Sequence, residues 1–134
     1  MFIDANIFLE LALEDKRSGE CEEFFSRLWK KLIEGMTSDF VIYTCLIQIE
    51  NKSNIKDMKN FLIFADNMEG LTIHSPTYQT VYAAFDIMEN HKLDFDDALV
   101  VAVMRALSIK ELVSFDSHFD RIREIKRIEP KDIV

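Results

Sequence analysis

Among the 24 acidic residues of this 134-residue chain, four stand out by where they fall. Asp4 and Asp116 each end a short apolar run in closely similar contexts, Phe2-Ile3-Asp4-Ala5-Asn6-Ile7-Phe8 and Ser114-Phe115-Asp116-Ser117-His118-Phe119. Both runs read as buried strands with the acid at the carboxyl end. Open parallel sheets bind ligands outside the carboxyl ends of their strands, so the two carboxylates would share one rim. Asp97 opens an apolar helix and can point at that rim. Glu50, the only acid between Asp39 and Asp57, falls in a short helix after the second strand. Four carboxylates from separate segments would then meet at one edge. Gathered like charges must either take up protons or bind a cation. Mg²⁺ suits such a site, because it takes oxygen ligands and keeps several waters. An ion held there can activate a water and offset charge developing on a phosphate. That is a route to phosphodiester hydrolysis without His or Ser, and His74, His91 and His118 show no spacing for zinc or for a triad.

Each of these residues also has a simpler role available. Asp4, Asn6 and Asp116 can cap turns or helices. Asp97 can accept backbone N–H groups at its helix start, alone or with Asp94. Glu50 can be a solvated helix residue and Asp120 a surface acid. The basic run Arg121, Arg123, Lys126 and Arg127 reads as a solvated face, and the Tyr and Phe stripes read as core.

The elements that must carry the acids follow from periodicity. Met1 to Ile3 reads as a strand and Ile7 to Leu13 as a helix. Cys21, Phe24, Phe25, Leu28, Trp29, Leu32 and Ile33 recur at helical spacing, with Gly35 as the stop. Phe40 to Tyr43 is the second strand candidate, and Thr44 would cap a short helix carrying Leu46, Ile47, Ile49 and Glu50. Ile55, Met58, Leu62 and Ala65 mark the next helix, ending near Gly70. Leu71 to Ile73 is a third strand. Pro76 starts a helix whose face is Tyr78, Val81, Tyr82, Phe85 and Met88. Asp96 to Leu107 is apolar nearly all round and reads as a buried helix. Leu112 to Phe115 is a fourth strand, and Ile125 to Ile128 a short edge strand before Pro130. Strands alternating with helices predict an α/β fold, with a parallel sheet covered by helices on both faces. No linker or repeat divides residues 1–134, so one domain is expected.

Composition narrows the classes further. Apolar residues make up 49% of the chain, with eleven Phe, three Gly and two Pro, which excludes a disordered or low-complexity segment. The longest apolar stretches fall far short of the roughly 20 residues of a membrane span. Met1-Phe2-Ile3-Asp4 does not read as a signal peptide. Cys21 and Cys45 have no metal-ligand spacing and fit a reducing compartment, as in a cytoplasmic protein. The net charge of −8 argues against nucleic acid unless some acids hold divalent ions, which invert the local field.

In order and spacing these segments resemble the PIN domain family, and within it the VapC-like toxin ribonucleases. The opening strand with Asp and a nearby Asn is matched by Phe2-Ile3-Asp4-Ala5-Asn6. The acid of the helix after the second strand is matched by Glu50. The start of the buried helix is matched by Leu93-Asp94-Phe95-Asp96-Asp97-Ala98-Leu99, and the closing Ser-x-Asp-x-x-Phe by Ser114 to Phe119. The resemblance runs from residue 2 to about residue 130. It implies a parallel sheet of about five strands and metal-dependent cleavage of RNA. Asp4, Glu50, Asp97 and Asp116 would be the catalytic ligands of Mg²⁺ or Mn²⁺. Asn6 and Ser114 would support them, and Asp120 would help position a second ion. It also implies a homodimer silenced by a cognate antitoxin protein, which lays a helix or strand in the groove and pushes a basic side chain toward the acids. Two departures stand out. Asp96 doubles the acid beside Asp97, and Ser108-Ile109-Lys110 replaces the glycine that many relatives carry before the last acidic strand. A catalytically silent PIN fold that binds RNA or a partner protein is the alternative. A receiver-type signalling domain ranks lower, because Asp4 has no acidic neighbour and the late strand ends on Asp116 rather than Lys.

Overall fold

A computed structural model describes residues 1–133. Five parallel strands form one sheet: β1 (Phe2–Ile3), β2 (Gly35–Ser38), β3 (Leu71–His74), β4 (Glu111–Val113) and β5 (Lys126–Ile128). Their order is β3-β2-β1-β4-β5. Six helices connect them: α1 (Ala5–Ala12), α2 (Ser18–Trp29), α3 (Asp39–Lys52), α4 (Ile55–Asp66), α5 (Tyr78–His91) and α6 (Phe95–Ala106). The chain runs outward from β1 to β2 and β3, then returns through α5 and α6 to β4 on the other side of β1. With right-handed crossovers, that reversal places helices on both faces of the sheet. It also makes the junction of β1 and β4 the topological switch point, where the strand ends diverge and leave a crevice.

The core explains the expected elements that hold. Phe2 and Ile3 pair with Leu112 and Val113, and all four are fully buried. On α1, α2 and α4 the rings of Phe8, Phe25 and Phe61 pack together, with centroids 5.1 Å apart for Phe8–Phe25 and 6.0 Å for Phe8–Phe61. In α6 every residue from Ala98 to Met104 is buried, as expected of a helix apolar nearly all round.

Other expected elements shift. Phe40 to Tyr43 is not a strand; it lies in α3, whose cap is Ser38 rather than Thr44. The Ser38 Oγ accepts from the Val41 N–H at 3.3 Å, which fixes the helix phase. Val41, Ile42, Cys45 and Ile49 then face inward, and an apolar run that looks like a strand is one turn of that face. The second strand is instead Gly35-Met36-Thr37-Ser38, where Gly35 opens the strand against Ile3 rather than stopping a helix. A Cβ there would come within 2.7 Å of Ile3 Cδ1.

Helix α2 ends at Trp29, so Leu32 is exposed. Lys31 has φ 56°, its N–H donates to Leu28 O, and the Leu32 N–H donates to Arg27 O. This is a Schellman closure with Lys where Gly is usual. The ends of α1 and α6 close in the same way through Glu14 (φ 50°) and Ser108 (φ 56°). In α4 the inward residues include Phe61 and Ala65 rather than Leu62. The aromatic stripe of α5 is not core. Tyr78 is 85% and Tyr82 70% exposed, while Ala84 and Ile87 face inward, where α5 packs on α6.

Candidate metal centre

Asp4 follows β1 directly and is 7% exposed. It caps α1, as the simpler role would have it, with Oδ1 accepting from the Ala5 N–H at 2.8 Å. Its second oxygen accepts from Ser114 Oγ at 2.7 Å and from Asn6 Nδ2 at 3.1 Å. Ser114 is fully buried just beyond β4, and its Oγ accepts from the Asp116 N–H at 3.0 Å. Asn6 completes the stitch, because its Oδ1 accepts from the Phe115 N–H at 3.1 Å. Asn6 and Ser114 thus tie the ends of β1 and β4 together across the switch point. Behind them the Arg17 guanidinium lies 3.7 Å from the centre of the Phe115 ring and pairs with Glu129 at 2.6 Å.

The acids around this junction share a cleft of about 180 Å³. Asp4, Asp96, Asp97 and Asp116 line it together with Asn6, and α3 supplies Phe40, Val41, Thr44 and Gln48. Asp97 sits in the first turn of α6, whose cap residue Asp94 makes no side-chain cap bond. Burial, then Asp4, Asp116, Asp96 and Asp94, push the Asp97 carboxyl from 3.8 up to about 7. Burial likewise raises Asp4, opposed by its bonds from Ser114 and Ala5 and reinforced by the charges of Asp116 and Asp96. A cation placed there would reverse both effects.

The donor set fits a divalent ion. One carboxylate oxygen each from Asp97 and Asp116 and one ring nitrogen of His118 all lie within 4.8 Å of one another. Ions with hard carboxylate ligands accept that chemistry. Asp4 borders the same cleft without belonging to that close set.

Two expected residues lie elsewhere. Glu50 is exposed on α3 and does not line the cleft. Once Ser38 sets the helix phase, residues 40, 41, 44 and 48 face the acids. Position 50 lies two residues and roughly 200° beyond position 48. Asp120 is exposed and held in a two-oxygen pair by Arg127, at 2.9 and 3.3 Å, rather than turned toward the cluster. The Arg127 Nη1 also donates to Ser114 O, so this member of the basic run braces β4 and is not simply solvated. Thr44, Gln48 and His118 are cleft or cluster residues that sequence reading passes over. The i, i+4 spacing of Thr44 and Gln48 becomes informative only with the correct cap, and His118 only through the turn that Asp116 initiates. A larger groove of about 470 Å³, lined by Phe8, Leu11, Phe61 and Phe64 among others, shares no residue with the acid cleft.

No curated protein sequence matches the chain significantly. Among solved structures, the VapC20 toxin of Mycobacterium tuberculosis, described as cleaving the sarcin–ricin loop, has a similar fold. Its TM-score is 0.75 at 22% identity, over 89% of this chain and 92% of that one. A toxin–antitoxin complex from Klebsiella pneumoniae gives a TM-score of 0.70 at 13% identity, over 96% of each chain. The PIN domain family matches residues 1–125. By that match, and with the parallel sheet and acidic switch-point cleft described above, the chain belongs to the PIN domain family.

Proposed function

We propose that this chain is a divalent-metal-dependent endoribonuclease, the VapC-like toxin of a toxin–antitoxin pair. The observation that carries the reading is the gathering of Asp4, Asp97 and Asp116 in one cleft at the switch point. Asp97 and Asp116 hold the ion, and Asp4 adds its charge from the buried side. Bound there, Mg²⁺ or Mn²⁺ would supply an activated water and offset charge on the scissile phosphate. Asn6 and Ser114 fix where Asp4 and Asp116 point through the hydrogen bonds between β1 and β4. Thr44 and Gln48 offer neutral hydrogen-bonding groups on the α3 wall, where an RNA backbone can lie without meeting another negative charge.

The partners follow from the same reading. RNA is the substrate, and an antitoxin covers the cleft with a basic side chain set against the aspartates. The exposed Tyr78, Tyr82 and Phe85 of α5 form the apolar face that a homodimer would cover. The free, buried Cys21 and Cys45 suit work in the reducing cytoplasm.

One feature favours a second reading, a silent PIN fold that binds RNA or protein: α3 brings Thr44 and Gln48 to the cleft and no carboxylate. Incubation of a mixed RNA pool with purified protein separates the two. Cleavage in Mn²⁺ that stops with EDTA supports the nuclease. RNA retained on the protein but left intact in Mn²⁺ supports the silent module.

A further inference from the structure

We infer that His118 is a nitrogen ligand of the ion held by Asp97 and Asp116, and that it biases the centre toward transition metals over Mg²⁺. The inference rests on the nuclease reading for what the ion does, but ligation itself can be measured without RNA.

The local chain geometry puts the ring there. Asp116 starts the 3₁₀ turn Ser117–Arg121, and its Oδ1 accepts from the His118 N–H at 2.9 Å. That bond folds residue 118 back over the carboxylate, while fully buried Phe119 anchors the turn in the core. The His118 Nδ1 then lies 3.0 Å from Asp116 Oδ1. Adjacent ligands of an octahedral ion, each about 2.1 Å from it, are about 3.0 Å apart, and opposite ones about 4.2 Å. The Asp116–His118 pair already has the adjacent spacing. The three donor atoms all lie within 4.8 Å of one another, close to the span that an opposite pair on one ion would have.

The competing role for His118 is a simple ion pair with Asp116. Two facts favour ligation. The ring nitrogen faces not one carboxylate but the edge where a second, from Asp97, also converges. The ring is also largely exposed, so little packing opposes its reorientation. Mg²⁺ gains little from imidazole, whereas Mn²⁺ and the later first-row ions bind nitrogen well, in the order Mn²⁺ < Fe²⁺ < Co²⁺ < Ni²⁺. With one nitrogen among its donors, this centre discriminates between metals that an all-oxygen site would bind alike.

The test is pulsed EPR of Mn²⁺ bound to the full chain, with Mn²⁺ and Mg²⁺ affinities measured by titration calorimetry. The expected result is nitrogen coupling from one directly bound imidazole in the wild type and none in His118→Ala. Mn²⁺ affinity should fall about tenfold or more in the variant and Mg²⁺ affinity by less than about threefold. His118→Ala keeps the backbone N–H that Asp116 caps, and a melting curve in EDTA checks its fold. The wild-type spectrum is informative on its own. Mn²⁺ bound by wild type without nitrogen coupling, and equally by the variant, would overturn the inference while leaving the nuclease reading standing. Failure of the wild type to bind Mn²⁺ at all would overturn both.

Discussion

Asp97→Asn should stabilise the metal-free protein at neutral pH while removing its metal response. With no ion bound, the folded state holds the Asp97 carboxyl at about 7 against an ordinary 3.8, because burial and four neighbouring carboxylates oppose its charge. A folded pKa above the unfolded one means that the native state takes up the proton more readily. The cost of ionisation is therefore absent below about pH 4, grows between the two values, and is complete above about pH 7. At 1.36 kcal/mol per pH unit the full difference corresponds to roughly 4 kcal/mol. Asp97 is about half-buried, so solvent screening brings this to about 2 kcal/mol. Asn keeps the size and removes the charge. At pH 8 in EDTA its melting temperature should exceed that of wild type by about 6–8 °C. The gap should narrow to less than half as the pH falls toward 5, and close below about pH 4. Mn²⁺ should raise the wild-type melting temperature at pH 8 and leave the variant nearly unchanged. Thermal denaturation followed by circular dichroism over pH 5–8 measures all of this. A variant less stable than wild type at pH 8, or one with the same pH slope, would refute the reasoning, since Asp97 would then carry no charge penalty.

Three further outcomes follow from particular contacts. Ser114→Ala removes a buried donor to the Asp4 carboxylate and an acceptor for two N–H groups, so urea denaturation should show a loss of about 1.5–3 kcal/mol. Lys31→Gly and Ser108→Gly each relieve a left-handed residue at a helix end. Each should gain about 0.5–1 kcal/mol, seen as a rise of a few degrees in melting temperature. Glu50→Gln should leave RNA cleavage within about twofold of wild type, because that side chain is exposed away from the cleft; a loss comparable to that of an Asp97 variant would place it back at the centre.

What could be read in the sequence was whatever one element determines by itself. The apolar pairs before Asp4 and before Ser114 are too short and too buried to be anything but central strands, so the acidic rim was legible. The seven consecutive buried residues of α6 made that helix, and with it Asp97, equally plain. The rest depended on phase and on neighbours. Strand β2 carries one large apolar residue, Met36, and is held by pairing on both sides and by Thr37 Oγ1 donating to Ile3 O at 2.9 Å. Nothing in Gly-Met-Thr-Ser announces that, whereas Phe40 to Tyr43 imitates a strand. Misplacing that strand moved the cap from Ser38 to Thr44 and so hid which side of α3 faces the acids. Helix ends at Glu14, Lys31 and Ser108 lack the glycine that usually marks them. The exposed Tyr78, Tyr82 and Phe85 of α5 are larger apolar residues than its buried Ala84, so an apolar stripe at helical spacing did not mark the inward face.

The proposed activity depends on the aspartates at the β1–β4 switch point cutting RNA with a divalent ion. Single-turnover cleavage of one RNA across a Mn²⁺ titration tests it most directly, with wild type compared to Asp4→Asn, Asp97→Asn and Asp116→Asn. The expected rate saturates with Mn²⁺ and falls at least about a hundredfold in each variant. A rate that ignores Mn²⁺, or that survives in all three variants, would contradict it.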